Sequence, residues 1–290
     1  TKGAITGNIG RINNTFCNTG FTSLELNYPL VTDASDCCRQ AFSLTTVNIN
    51  LPNCTNFERI FQICVRLVSV TSTSLTLKGL KGTRMFEGCS ELVSIPSFIY
   101  FEDFSDISYM FSGCSRIELT LINKVFQNIK VASAFRGTKL RVIENVLVEN
   151  SDTTYLFADC AVLTSVTNLV IDCQNLDGTS WNHSRLFYNC SGITGNFDVT
   201  FTGTGQIVLD LAFSAVPSTY FANYTVRSAP VVTYENLFGN LPATISYLGI
   251  ENVVQSYESR NKIEYRGTVT IGKLKNISLQ NFNYLTSINE

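Results

Sequence analysis

The chain has one histidine, one tryptophan, two methionines and few charges: 15% of its 290 residues are Asp, Glu, Lys or Arg, and the formal net charge is −2. Each shortage removes a class of function. A single His rules out a zinc site built on several imidazoles, and no CxxC pair offers a thiolate alternative. No Lys/Arg cluster follows a phosphate backbone, so nucleic acid is not an expected partner. No apolar run approaches the length of about 18 residues that a membrane-spanning helix needs.

Nucleotide motifs are missing as well. There is no G-x-x-x-x-G-K-[ST], and the nearest glycine-rich phrase, FTGTGQIV at Phe201–Val208, lacks both a third Gly and a following helix. A turn between strands is its expected role. No Gly-x-Ser-x-Gly elbow is present, and any Ser-His-Asp or Cys-His arrangement would have to use His183. Glu25, Glu118, Glu144 and Glu149 lie too far apart in repeat register to nominate the paired carboxylates of a glycan-cleaving enzyme. No cofactor is implied. Six N-x-[ST] sequons match what chance delivers in a chain this rich in Asn, Ser and Thr.

What is present is a repeat. It reads MFEGCSELVSIP at Met85–Pro96, MFSGCSRIELTL at Met110–Leu121, LFADCAVLTSV at Leu156–Val166 and LFYNCSGI at Leu186–Ile193. Weaker copies centre on Phe16, Phe42, Phe61, Phe135, Phe213 and Phe238. Successive Phe residues lie 26, 19, 25, 25, 24, 22, 30, 26 and 25 positions apart. Such a period marks a solenoid, in which each unit buries its apolar face only against its neighbours.

One coil reads as a strand, a bend, a short helical or extended segment, and a Phe plug. Val47, Ile49 and Leu51 alternate with Asn48 and Asn50, and Leu24, Leu26 and Tyr28 with Glu25 and Asn27, as half-buried strands do. Further strands are expected at Leu75–Leu77, Leu119–Leu121, Val146–Val148, Leu169–Ile171, Phe197–Phe201, Leu248–Ile250, Val269–Ile271 and Ile277–Leu279. Ser, Asp or Asn in SDISYM, SDTTYL and NHSRLF would cap a short helical turn before each Phe. The expected architecture is a β-rich, leucine-rich-repeat-like stack of about 10–12 coils with a parallel sheet on one face. Residues 1–252 form the stack, and 253–290 are divergent repeats or a C-terminal cap. The opening TKGAITGNIG has no initiator Met or signal-peptide core, and Tyr284–Ile288 resembles another repeat beginning, so a fragment of a longer protein is expected.

Phe42, Phe61, Phe86, Phe111, Phe135, Phe157, Phe187, Phe213 and Phe238 form the expected file of plugs. Cys64, Cys89, Cys114, Cys160 and Cys190 each follow a plug by three residues and form a companion file. Thr45, Thr138, Val216 or Leu241 replaces Cys elsewhere, so the position asks for a small buried side chain. Rungs about 5 Å apart leave disulfides geometrically open. Cys37 and Cys38, being adjacent, are expected on opposite faces.

The MFxGCSxLxxIP phrase resembles the BspA-like leucine-rich repeat family, including its mycoplasma-lipoprotein type. The likeness is close at Met85–Pro96 and Met110–Ile117, good at Leu156–Val166 and Ala41–Pro52, and degenerate elsewhere over roughly residues 10 to 250. It implies a surface or virion protein that recognises or adheres, placed outside the cell, on its surface or on a virion, with no catalytic motif to carry over. The partners it implies are a protein or glycan on a cell surface, or neighbouring subunits of an assembly.

The exposed strand positions Glu25, Asn27, Asn48, Asn50, Thr76, Lys78, Glu118 and Thr120 are the candidate binding ladder. A second candidate is the stretch Asp172–Ser184 in the longest interval, holding Asp177, Trp181 and His183. A capped turn at Asp177-Gly178 with Trp181 folded over an apolar edge is the favoured reading of that stretch, ahead of a contact site. Three functions follow: a recognition module, a structural spacer or assembly component, and a β-helical polysaccharide-degrading enzyme.

Overall fold

A strand that alternates apolar and polar residues must stack its apolar side on something, and here each coil stacks on the next. The computed structural model describes residues 2–3, 9–72, 78–174, 180–195, 197–204, 206–208 and 212, together with the strands named below beyond them. The chain is a parallel β-solenoid, divided into two compact units: residues 1–119 with 129–139, and residues 120–128 with 140–290.

In the first unit β1 (Lys2–Gly3), β2 (Ser23–Asn27), β3 (Thr46–Asn50) and β4 (Ser69–Ser72) form one sheet in that order. The pairings are parallel and in register: Leu24 lies beside Val47 and Val47 beside Val70, Leu26 beside Ile49. Those side chains are buried, while Glu25 and Asn48 between them are exposed. A second, shorter pairing joins β5 (Leu80–Lys81) to β6 (Phe104–Asp106). Between them a single 3-10 turn, Phe101–Asp103, brings the Phe101 ring edge-on to Phe111 and Phe135.

In the second unit β7 (Glu118–Gln127), β8 (Lys139–Glu149), β9 (Ser165–Cys173), β10 (Ser180–Asn182), β11 (Phe197–Gly203), β12 (Gln206–Val208), β13 (Tyr224–Ser228), β14 (Val232–Thr233), β15 (Thr244–Ile245), β16 (Leu248–Glu251), β17 (Ile263–Thr270), β18 (Lys273–Lys275) and β19 (Phe282–Asn289) follow. The main sheet runs β18-β16-β13-β11-β9-β8-β7; two smaller ones run β10-β12-β14 and β15-β17-β19. The strands expected at Leu119–Leu121, Val146–Val148, Leu169–Ile171, Phe197–Phe201 and Leu248–Ile250 fall on these elements, and those at Leu24–Tyr28 and Val47–Leu51 overrun β2 and β3 by one residue each. Leu75–Leu77 and Ile277–Leu279 lie outside the described residues, as do Phe213, Phe238, Val216 and Leu241.

Between strands the chain turns in a recurring six-residue staircase, at 13–18, 35–40, 58–63, 83–88, 108–113, 132–137, 154–159 and 184–189. Of the short helical or extended segment that the sequence suggests here, the helical form is not adopted: the staircase is built from turns. Alternate N–H groups bond within the coil to the carbonyl three residues back, as Met85 to Gly82, Glu87 to Arg84 and Cys89 to Phe86. The others reach the next coil, as Phe86 to Met110 and Gly88 to Ser112. The second and sixth residues have positive φ in every copy: Arg84 and Gly88, Tyr109 and Gly113, Tyr155 and Asp159. A linked pair of β-turns with a left-handed third residue has this signature, and a helix cannot accommodate it. Polar caps do occur as expected. Asp33, Asn56, Asp106 and Asn182 each accept the N–H two residues on, at 3.0, 3.2, 2.8 and 2.9 Å, closing an Asx-turn.

The fourth staircase residue is the plug. In the first unit the rings of Phe61, Phe86, Phe111 and Phe135 form one stacked file, with centroids 5.6, 5.5 and 6.3 Å apart. In the second, Phe157 stacks on Phe187 at 5.3 Å. All six are fully buried, each contributing roughly 1.5–3 kcal/mol relative to exposure.

Phe42 is a correction. It is 50% exposed, and the plug of its coil is Cys38, whose N–H bonds Ile60 just as Phe61 bonds Met85. The irregular Phe intervals of 26 and 19 thereby become 22 and 23, from 16 to 38 to 61. The residue three after that plug is Ala41 rather than Thr45. Cys37 and Cys38 are both fully buried, because they sit in the staircase and not in a strand, where alternation would have separated them.

The companion file has a specific bond. The thiols of Cys64, Cys89, Cys114 and Cys190 each donate to the carbonyl of the preceding coil's plug (Cys38, Phe61, Phe86, Phe157), all at 3.0 Å. Thr19 and Thr138 instead bond their own plug carbonyls at 2.8 Å. None of the ten cysteines forms a disulfide.

Candidate functional site: the polar face of the first sheet

The outward residues of β2, β3 and β4 fall into rows because the strands run parallel without slippage. One row is Ser23, Thr46 and Ser69; the next is Glu25, Asn48 and Thr71; the third is Asn27 and Asn50. Their spacing across the rows is the inter-strand distance of about 4.8 Å. The first two rows line a shallow groove of about 280 Å³, floored by Leu24 and Val47. Within it the Thr71 hydroxyl donates to Asn48 Oδ1 at 3.2 Å. Asn50 Nδ2 donates to Asn27 Oδ1 at 2.8 Å at the rim, so these two amides spend one group each on each other. Four of the sequence candidates, Glu25, Asn27, Asn48 and Asn50, are thus brought onto one face. Thr76 lies outside the described residues, Lys78 is ion-paired with Asp103, and Lys139 lies 3.8 Å from Glu118.

Beside the groove, the same coils expose apolar side chains. Val68 and Val93 occupy matching positions on successive coils, since Val93 N–H bonds the Val68 carbonyl, and they are 39% and 43% exposed. Thr45 holds that position one coil earlier.

The second candidate region separates into pieces. Asp177 lies outside the described residues. Trp181 is half-buried on β10, its indole N–H bonded to the Gln174 carbonyl at 2.9 Å. Asp172 is engaged twice, by the Thr202 hydroxyl at 2.7 Å and by Gln174 Nε2 at 2.9 Å. His183 is fully buried, so as a surface contact residue it is a correction. Its Nδ1 lies 2.8 Å from the Thr153 hydroxyl and its Nε2 3.2 Å from Cys173 Sγ. Hydroxyl and thiol can each donate or accept, so a neutral imidazole of either tautomer is satisfied.

The Cys173–His183 contact has the partners of a nucleophilic pair but not the charge state. Burial pushes the imidazole down to about 3 and the thiol up to about 12. Both are therefore neutral near pH 7, whereas a reactive pair needs the thiolate. Among the described residues no group of three His, Cys, Asp or Glu side chains could hold a metal ion, and no helix is long and apolar enough to cross a membrane.

Sequence reasoning missed two sets of paired surface residues. In the staircase, Arg59 grips the buried Asp36 with Nε and Nη2, both at 2.9 Å. Arg84 covers the Tyr109 ring at 4.3 Å, and Arg185 the Tyr155 ring at 5.2 Å. All are second staircase residues of adjacent coils, a register visible only once the plug is fixed. In the second unit Asn123, Asn145 and Asn168 form an amide ladder, at 3.2 and 2.9 Å, and each has positive φ, which Asn tolerates best after Gly. Compared with protein-family models, curated proteins and solved structures, the chain gives no match.

Proposed function

We propose that this protein is a non-enzymatic recognition or adhesion module, displayed on a cell surface or a virion, that binds a glycan or protein partner through the polar face of β2–β4. The observation that carries the reading is the groove with its two rows of hydroxyls, an amide and a carboxylate, held in fixed register by a rigid sheet. Such a lattice suits a polyhydroxylated ligand, which gains affinity from many hydrogen bonds of about 1 kcal/mol net each. The apolar strip of Val68 and Val93 beside it suits the C–H face of a sugar ring or an apolar side chain. Surface display is supported by the resemblance of MFEGCSELVSIP to the BspA-like repeat phrase. A glycan array probed with the chain tests the reading, with Asn48→Ala and Thr71→Ala as controls. Binding that falls with both variants is expected; binding that ignores them would refute the site.

The exposed Phe42 side chain and the end position of β4 in its sheet favour a second reading, in which the solenoid packs side by side as an assembly component. Sedimentation separates the two: a stable symmetric oligomer favours assembly, a monomer favours recognition.

A further inference from the structure

Charge within the groove narrows the ligand. Its two rows contribute five neutral polar side chains, Ser23, Thr46, Ser69, Asn48 and Thr71, and one charge, Glu25. Glu25 is exposed and stands directly beside Asn48 in the row. Several described acids elsewhere in this unit are ion-paired: Asp36 with Arg59, Glu87 with Arg84, Glu91 with Arg116 and Asp103 with Lys78. Glu25 has no such partner among the described residues. Lys2 of β1 holds the register position beside Ser23, at the outer end of the hydroxyl row.

A carboxylate set among neutral hydroxyls and an amide is complementary to a ligand that is mostly hydroxyl and carries a cation. We propose that the groove binds a linear amino sugar chain, one unsubstituted ammonium group meeting Glu25 while ring hydroxyls meet the Ser23–Thr46–Ser69 row. This rests on the recognition reading above and names its ligand class. The row direction runs across the strands at about 4.8 Å per step, and a β-1,4-linked sugar chain advances by a similar length per residue. Asn48 Oδ1 already accepts from Thr71, which leaves the amide's N–H groups to donate to the ligand. The ammonium is therefore left to the carboxylate.

The test is calorimetric titration of the full chain with three hexasaccharides: β-1,4-glucosamine, its fully N-acetylated form, and cellohexaose. Buffer at about pH 5.5 and low salt keeps the amines protonated and the ion pair unscreened. The glucosamine hexamer is expected to bind roughly tenfold or more tighter than the other two, the scale of one charge-assisted hydrogen bond. Glu25→Gln, a surface change that leaves the melting temperature unaltered, is expected to bring all three to equal affinity. Equal binding of the three by the wild type, or a preference that survives Glu25→Gln, overturns the amino sugar proposal and leaves the recognition reading standing. No binding of any hexamer, together with a blank glycan array, overturns both. A lysine-rich peptide that outcompetes every sugar makes the partner a protein and overturns the proposal alone.

Discussion

His183 is the chain's single histidine, so one imidazole accounts for any titration assigned to that residue type. Folded, it is fully buried against Thr153, Cys173 and the Phe201 ring, with its proton affinity pushed down to about 3 by burial. Unfolded, it takes up a proton near 6.5. Below that pH the unfolded chain holds more protons than the native one, so stability falls with acidification. The contribution is complete above about pH 6.5 and is lost towards pH 3, with a limiting slope of about 1.4 kcal/mol per pH unit. Between about pH 8 and pH 5 the loss comes to about 2 kcal/mol, reaching roughly 4 kcal/mol at pH 3. The upper window precedes most carboxylate titration and isolates the histidine. Guanidinium unfolding at steps from about pH 8 to pH 5 should show the decline in the wild type. His183→Gln should flatten it, whatever that variant does to absolute stability. The single imidazole C2 proton in an NMR spectrum should hold its shift throughout. A native imidazole that titrates near 6.5, or parallel stability curves for the two proteins, would show that the residue is hydrated and the buried Thr–His–Cys arrangement wrong.

Three further outcomes follow from the coil itself. Phe86 lies between the rings of Phe61 and Phe111 with no exposure, so Phe86→Ala should cost about 3–5 kcal/mol, read by chemical denaturation; a loss under about 1 kcal/mol would mean the file is not packed. Burial pushes the Cys64 and Cys114 thiols up to about 12, cutting their thiolate fraction at neutral pH by about a thousandfold from an ordinary cysteine. A thiol reagent should therefore label the native chain at no more than the partly exposed Cys17, with all ten reacting after denaturation, and stability should decline from about pH 9 upward as the unfolded thiols ionise first. Gly88 has φ +74, and a new Cβ would meet Ile63 only at an ordinary contact distance of 3.5 Å, so Gly88→Ala should cost about 1–2 kcal/mol through backbone strain, and Gly88→Asn markedly less.

Much of the coil was legible because burial leaves a periodic record. The alternation in Leu24–Tyr28 and Val47–Leu51 located strands to within a residue, and the Phe period gave the solenoid. In the second coil the aromatic and the plug are different residues, exposed Phe42 and buried Cys38, because the turn and not the ring sets the plug position. Leu44, Leu67, Leu92 and Ile117 each fall six residues after a true plug. Aligning on them puts Cys38 in the file and excludes Phe42. The candidate groove was half legible: alternation put Glu25 and Asn48 on the outer face, but which rows neighbour which depends on strand register. His183 could not be placed from sequence, since burial against Thr153 and Cys173 joins residues 30 and 10 positions away.

The sequence by itself determined that this chain stacks in coils and which side of each strand meets water, because both follow from local apolar periodicity. Only the tertiary structure decided that the bends are left-handed turn staircases, that thiols hydrogen-bond to plug carbonyls one coil back, and that a single carboxylate sits among hydroxyls in a groove. Those depend on the register between coils some 25 residues apart, a quantity fixed by inter-coil hydrogen bonds and written in no single repeat.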